Sequence, residues 1–107
     1  MAEAILTEKD NGKRIEVSVG TQIRLDLPEN PTTGYQWTLH EVGDVLTLKS
    51  DQFVVGPASA IGGGGVRQFS FEAALPGNAT ICLKNMRPWE GEEAAVKTFT
   101  VNLIVRK

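Results

Sequence analysis

The residues that could do covalent chemistry in this sequence are one thiol and one imidazole, Cys82 and His40. A cysteine nucleophile needs a partner base, and His40 is the only histidine that could serve. Cys82 lies in the segment ATICLKN, where a thiol buried on a strand is the ordinary interpretation. No carboxylate pair, metal-spaced cluster or nucleophile–base arrangement can be placed together. The sequence therefore argues against an enzyme and predicts neither a cofactor nor a metal site.

Three unusual segments indicate instead that the protein binds a partner without covalent chemistry. The first of them is NPTTGY. Asn30 followed by Pro31 suits the first two positions of a type I turn, and Gly34 can take a positive φ just after it. Thr32 and Thr33 would then lie at an exposed tip that Pro31 and Gly34 hold rigid. A rigid tip loses little entropy when it binds a partner. Taken alone, the segment is better explained as a rigid turn with no further role.

Four consecutive glycines, Gly62 to Gly65, form the second unusual segment, IGGGGVRQF. Such a run predicts a loop, because glycine loses more backbone entropy on folding than any other residue. A phosphate-binding loop would need a helix after the glycines and commonly a Gly-Lys-Ser/Thr ending, whereas a strand pattern follows here. Two interpretations are left: a flexible connection, or bare backbone against which another backbone can lie closely.

The third unusual segment is KNMRPWEGEE, in which Trp89 lies between Pro88 and an acidic run that begins at Glu90. A tryptophan in a polar loop either packs under the domain or anchors an interface. Arg87 could stack on an aromatic ring or form a bidentate pair. The acidic run is interpreted as a solvated stretch.

Period-two alternation of apolar and polar residues predicts that strands position these segments. In QIRLDL, for example, Ile23, Leu25 and Leu27 share one face, which gives that strand a core side and a wet side. The predicted strands cover residues 14–19, 22–27, 35–40, 45–49, 52–55, 67–73, 79–84 and 98–107, with a turn through Ser50 and Asp51.

About eight short strands separated by turn residues predict an all-β fold, an antiparallel sandwich or small barrel. An immunoglobulin-like antiparallel β-sandwich suits the 107 residues and the tryptophan at Trp37, although the single cysteine excludes the usual inter-sheet disulfide. In that topology the NPTTGY segment joins strands B and C, the glycine segment joins D and E, and the RPW segment joins F and G, and all three connections lie at one end of the sandwich. These connections are the three unusual segments, so their coincidence favours one shared binding surface.

The composition, 41% hydrophobic and 22% charged, is that of an ordinary soluble domain. Eleven basic against 13 acidic residues give nucleic acid no electrostatic reason to bind. No apolar run approaches the roughly 20 residues of a membrane span, and MAEAILTEKD lacks the apolar stretch of a signal peptide. We expect one domain over residues 1–107, a monomer, with no nucleic-acid or membrane partner. A cytoplasmic location and a secreted or periplasmic one after processing are both compatible with the sequence.

NPTTGY, a glycine loop and RPW, in this order and with this spacing, resemble the chagasin-type inhibitors of papain-family cysteine peptidases over the whole chain. The resemblance implies an immunoglobulin-like fold and tight, reversible, non-covalent inhibition. It implies that the NPTTGY tip enters the active-site cleft with Thr32 nearest the catalytic cysteine, while the glycine loop and Trp89 grip the enzyme on either side. The implied peptidase-binding residues are Asn30, Pro31, Thr32, Thr33, Gly34, Tyr35, Gly62, Gly63, Gly64, Gly65, Arg87, Pro88 and Trp89.

The chemistry of these residues suits such a target. A papain-type cysteine is a thiolate paired with an imidazolium, which neutral threonines can approach without a competing charge. Pro31 stiffens the chain and removes an N–H, which hinders a substrate-like extended fit. The alternative is a generic immunoglobulin-like binding or adhesion module without a peptidase target, which would recognise its ligand through a sheet face or other loops.

Overall fold

The computed structural model describes residues 3–55 and 64–107, which form eight strands and three 3₁₀ helices. The strands are Glu3–Thr7 (β1), Arg14–Ser18 (β2), Gln22–Glu29 (β3), Gln36–Glu41 (β4), Leu46–Val55 (β5), Gly65–Ala73 (β6), Gly77–Met86 (β7) and Lys97–Arg106 (β8). The 3₁₀ helices are Glu8–Asp10, Pro31–Thr33 and Glu92–Ala94. Within these described residues, no helix has the length and apolar character needed to cross a membrane.

Two four-stranded sheets form a sandwich, in the orders β1–β3–β6–β5 and β2–β8–β7–β4. The predicted all-β sandwich is thereby confirmed, with antiparallel pairing in both sheets. The pairs β1–β3 and β2–β8 are parallel, which the sequence did not indicate. Parallel neighbours cannot be joined by a tight hairpin, and here the chain changes sheets between β1 and β2 and again before β3.

The core consists of the inward-facing residues of both sheets, as the period-two alternation predicts. On β3, for example, Ile23, Leu25 and Leu27 are all buried, and Trp37 of β4 is buried as well. Burying one such large apolar side chain stabilises the fold by roughly 1.5–3 kcal/mol, so the core holds the strand ends rigidly. The largest fully buried side chains are those of Phe69, Phe71, Phe99, Ile23, Leu25, Leu27, Ile81, Leu83, Leu103 and Val101.

Two details of the strand prediction were wrong. Instead of separate strands over residues 45–49 and 52–55 with a turn between them, the chain forms one continuous strand, β5 (Leu46–Val55), whose register shifts at Lys49. The shift is a β-bulge, which accommodates one extra residue without ending the strand. Strand β1 was not predicted, because only Leu6 of it is buried and Ile5 is half-exposed.

The directions of the strands determine at which end of the sandwich the three unusual segments attach. Because β3 pairs antiparallel with β6 and β6 with β5, strands β3 and β5 run toward the same end of the sandwich, from which β6 starts. In the other sheet β4 starts where β3 ends, and its antiparallel neighbour β7 therefore runs toward that same end, where β8 starts. The ends of β3, β5 and β7, from which the three connections leave, thus lie at one end of the sandwich, as the immunoglobulin-like topology predicts.

Candidate functional site

The predicted site residues fall in two loops and one strand start at this end of the sandwich. We call residues 30–35, between β3 and β4, the tip loop, and residues 87–96, between β7 and β8, the tryptophan loop. Of the glycine run, Gly64 and Gly65 are described, whereas Gly62 and Gly63 lie outside the described residues. Gly65 opens β6 and pairs with the last residue of β3, so the glycine segment ends beside the base of the tip loop.

Asn30 organises the tip loop. Its side-chain Oδ1 accepts hydrogen bonds from the backbone N of Thr32 at 3.1 Å and from Thr32 Oγ1 at 2.7 Å. Its carbonyl oxygen accepts from the backbone N and the Oγ1 of Thr33, at 3.2 and 2.8 Å. Gly34 then ends the turn with φ +82°, and Tyr35 N donates to Thr33 Oγ1 at 3.3 Å. The predicted turn at Asn30 and positive φ at Gly34 are confirmed, and both threonines are exposed.

Trp89 does not pack under the domain. It is 72% exposed, and one edge of its indole lies against the tip loop. A Cβ built on Gly34 would lie 2.8 Å from Trp89 Cη2, so only a glycine leaves room for this contact. The tryptophan loop therefore packs directly against the tip loop.

Arg87 makes the second connection between the two loops. Its guanidinium lies 4.6 Å from the centroid of the Tyr35 ring, and its Nε donates a hydrogen bond to Thr33 O at 3.2 Å. Of the two roles predicted for Arg87, the structure shows the stacked one. An ion pair to Glu90 at 3.6 Å adds to it, so the start of the acidic run is not simply solvated.

Two hollows flank the tip loop. The first, of about 310 Å³, is bounded by Gly34, Tyr35 and Trp89 on the loop side and by Phe53 and Arg67 on the sheet side; we call it the tryptophan hollow. The second, of about 340 Å³, includes Asn30, Thr33, Gly64, Gly65 and Val96; we call it the glycine hollow. Tyr35 borders both hollows, so the tip loop forms the ridge that separates them.

Sequence reasoning missed the ion pair beneath both hollows, which joins Glu29 to Arg67. Arg67 donates to Glu29 Oε2 from Nη2 at 2.8 Å and from Nε at 3.1 Å. Glu29 Oε1 accepts a 2.6 Å hydrogen bond from the backbone N of Trp37, whose Nε1 donates to Pro28 O at 2.9 Å. The hydrogen bonds to Glu29 hold the pKa of Arg67 above its ordinary value. The sequence of β3 contains one indication of this pair. Inward and outward residues alternate along the strand, and the inward position after Leu27 is occupied by a charged residue, Glu29.

The residues considered for covalent chemistry lie apart from this end. Cys82 is free and lies on a strand, β7, as predicted, but is half-buried and not buried, and its sulfur accepts a 3.8 Å hydrogen bond from Thr100 Oγ1. His40 is exposed on β4, where the register of that strand shifts. Across residues 3–55 and 64–107, no three His, Cys, Asp or Glu side chains are grouped so as to hold a metal ion.

Comparison with known proteins places the chain in a family. The family model described as Chagasin family peptidase inhibitor I42 matches residues 16–103, a span that contains all three unusual segments. Chagasin from Trypanosoma cruzi is 29% identical over 103 residues, covering 92% of this chain and 94% of its own length. Amoebiasin-2 from Entamoeba histolytica is 29% identical over 104 residues, covering 95% of this chain and 85% of its own. The crystal structure of a cysteine protease inhibitor from Entamoeba histolytica matches with a TM-score of 0.89 at 30% identity, covering 99% of this chain and 97% of that one. The chain belongs to the chagasin family of peptidase inhibitors.

Proposed function

We propose that this protein is a reversible, non-covalent inhibitor of papain-family cysteine peptidases that blocks the active-site cleft with its loop end. The observation that carries the proposal is the shape of that end: an exposed, internally bonded threonine ridge beside an exposed tryptophan. Membership of the chagasin family supports it, as does the likeness to a cysteine protease inhibitor. In this role Thr32 comes nearest the catalytic cysteine, with the ridge inserted and the hollows facing the walls of the cleft.

The chemistry of the ridge suits a thiolate–imidazolium pair. Thr32 and Thr33 bring hydroxyl and backbone N–H groups and no charge, so they approach the pair without competing with its electrostatics. Their hydroxyls are already bonded to Asn30, so the tip is ordered before binding and loses little entropy on association. The 3₁₀ turn Pro31–Thr33 is also not extended, whereas a substrate must lie extended along a protease cleft. A ridge of this shape therefore fills the cleft without offering a scissile bond.

Trp89 and the glycine segment supply the flanking contacts. A tryptophan that is 72% exposed and already seated on Gly34 has the character of an interface anchor, the residue type that most often dominates binding energy. On the other side, a Cβ added to Gly64 would meet no described atom within 4 Å, so the packing of this chain does not require glycine there. A partner backbone lying against that segment would require it.

The direct test is titration of active papain with the full chain, followed by hydrolysis of a small chromogenic substrate. We expect activity to fall with inhibitor concentration, to return on dilution, and the chain to stay intact by mass spectrometry. A serine peptidase assayed in parallel should keep its activity. Undiminished papain activity at micromolar protein would contradict the proposal and favour the generic binding module.

A matched variant tests the location of the contact. Thr32→Arg combined with Trp89→Ala places a bulky charge on the ridge and removes the anchor, while both positions are exposed. We expect the double variant to fold normally and to lose several kcal/mol of binding free energy for papain. Inhibition equal to that of the parent chain would show that another surface is used.

A further inference from the structure

An ion pair lies at the loop end of the apolar core, directly under the candidate site. On β3 the inward positions run through Leu25 and Leu27 to Glu29. On β6, Arg67 precedes the buried Phe69 in the same alternation. Each strand therefore carries one charged residue among its inward positions near the loop end: Glu29 is the last residue of β3, and Arg67, which pairs in register with the buried Leu27, lies one inward position below Gly65 of β6.

This pair is largely withdrawn from solvent. The side chain of Glu29 is 2% exposed and that of Arg67 19% exposed. The two oxygens of Glu29 are both used, one by Arg67 and the other by the backbone N of Trp37. Arg67 also reaches Asp51 at 3.2 Å and lies 6.0 Å from the centroid of the Phe53 ring. One carboxylate thus connects β3, β4 and β6, and the arginine extends the connection to β5.

A gain in the stability of the fold is a weak explanation for the presence of a buried ion pair. Removing two charges from water offsets most of their attraction, and replacing a buried pair by apolar residues of similar size is often neutral or stabilising. Directional bonds, by contrast, fix the relative orientation of the elements that carry them. Departures from local sequence rules of this kind are expected chiefly at functional or strained sites.

The location of the pair matches such a role. Glu29 immediately precedes the tip loop, and its bond to Trp37 N closes the base of that loop two residues after Tyr35. Arg67 lies two residues after Gly65, where the glycine segment ends. Glu29 borders both hollows. The tip loop and the described end of the glycine segment are therefore each attached to this pair within two residues.

We propose that Glu29 and Arg67 are positioning residues. They hold the tip loop in a fixed position and orientation relative to the glycine segment and the tryptophan hollow. Neither side chain is proposed to touch the peptidase. The effect on inhibition rests on the proposed function, whereas the effect on the order of the tip loop does not.

The test is the double variant E29Q/R67M, which removes both charges while glutamine keeps a carbonyl oxygen for Trp37 N. We expect its urea unfolding midpoint to stay close to that of the parent chain, while Ki for papain rises roughly tenfold or more. Backbone ¹⁵N order parameters of residues 30–35 should fall. A merely structural role would change stability and inhibition together and would leave these order parameters unchanged in the folded protein.

The exposed pair between Glu16 and Arg106 offers a matched control, because its side chains are 56% and 65% exposed and it joins β2 to β8. The variant E16Q/R106M should leave Ki and the tip-loop order parameters unchanged. If E29Q/R67M does not fold, R67K replaces it: lysine keeps the charge but not the two-pronged contact, and Ki should rise and the order parameters fall to a smaller extent.

The two proposals fail in different ways. If the parent chain does not inhibit papain, the proposed function is wrong, and the order parameters of residues 30–35 still decide the role of the pair. If the parent inhibits and the folded E29Q/R67M, or R67K in its place, has the same Ki and the same tip-loop order, the positioning role is wrong.

Discussion

Trp89 lies with the edge of its indole against Gly34, at the point where the tip loop turns toward β4. A Cβ on Gly34 would come within 2.8 Å of Trp89 Cη2, and the φ of Gly34 is +82°. Two independent requirements, backbone conformation and space, therefore select glycine at this position. The tip loop and Trp89 are therefore packed against each other, and a substitution that moves one of them also moves the other.

Gly34→Ala tests this coupling, and Gly12→Ala is its control. Gly12 has nearly the same φ, +83°, but a Cβ there would meet no described atom within 4 Å. Both variants should lose about 1–2 kcal/mol of unfolding free energy, because alanine is strained in the left-handed region. Only Gly34→Ala should also raise Ki for papain, by roughly tenfold or more, since it displaces Trp89. Equal inhibition by the two variants in parallel assays would show that the contact does not matter for binding.

Trp89→Ala separates binding from folding. Because the side chain is 72% exposed, its removal should change the free energy of unfolding by less than about 0.5 kcal/mol. Loss of an aromatic anchor should cost about 2–4 kcal/mol of binding, a rise in Ki of roughly 30- to 1,000-fold. Leu75→Ala is the control, since Leu75 is also exposed but lies in the turn between β6 and β7, at the opposite end. If both variants inhibit like the parent, Trp89 is not an anchor.

Asn30→Ala tests whether the tip must be ordered before it binds. The variant loses the acceptor of two hydrogen bonds from Thr32, which should lower the free energy of unfolding by about 1 kcal/mol. Ki should rise as well, through slower association and faster dissociation of a looser tip. Asn78→Ala, an exposed asparagine at the start of β7, should change neither quantity. Stopped-flow inhibition kinetics and urea titrations measure both, and an unchanged Ki for Asn30→Ala would argue against a preordered tip.

Local pattern was sufficient to predict much of this molecule. Period-two alternation identified the core faces, since a residue such as Leu25 is buried wherever its strand lies in a sandwich. Turn chemistry identified the tip loop, because Asn30 and Gly34 carry the conformational preferences of the turn themselves. The convergence of the loops followed from the topology once the sandwich was assumed.

What could not be predicted depends on residues far apart in the chain. The predicted strand 22–27 ends before Glu29, and no local period connects Glu29 with its partner Arg67, which is 38 residues away. The packing of Trp89 against Gly34 is likewise a contact between residues far apart in the chain. The bulge at Lys49 was missed because polar residues after it resemble a turn, whereas pairing with β6 continues through them.

The last prediction concerns pH and the parallel pairing of β2 with β8. Arg106 Nε donates to Glu16 Oε1 at 2.7 Å, and this hydrogen bond, followed by the charge of Arg106, holds the pKa of Glu16 below its ordinary value of 4.5. A lowered folded-state pKa contributes stability above the unfolded value, and that contribution is lost as pH falls through the folded value. Glu16→Gln should therefore be slightly less stable than the parent at pH 7, and the difference should vanish on acidification below 4.5. Urea titrations of both proteins across this range measure it, and at pH 7 Arg106→Met should add no further loss in the Glu16→Gln background. A difference that grows on acidification would contradict the pairing, because it would require that Arg106 favour the protonated form of Glu16.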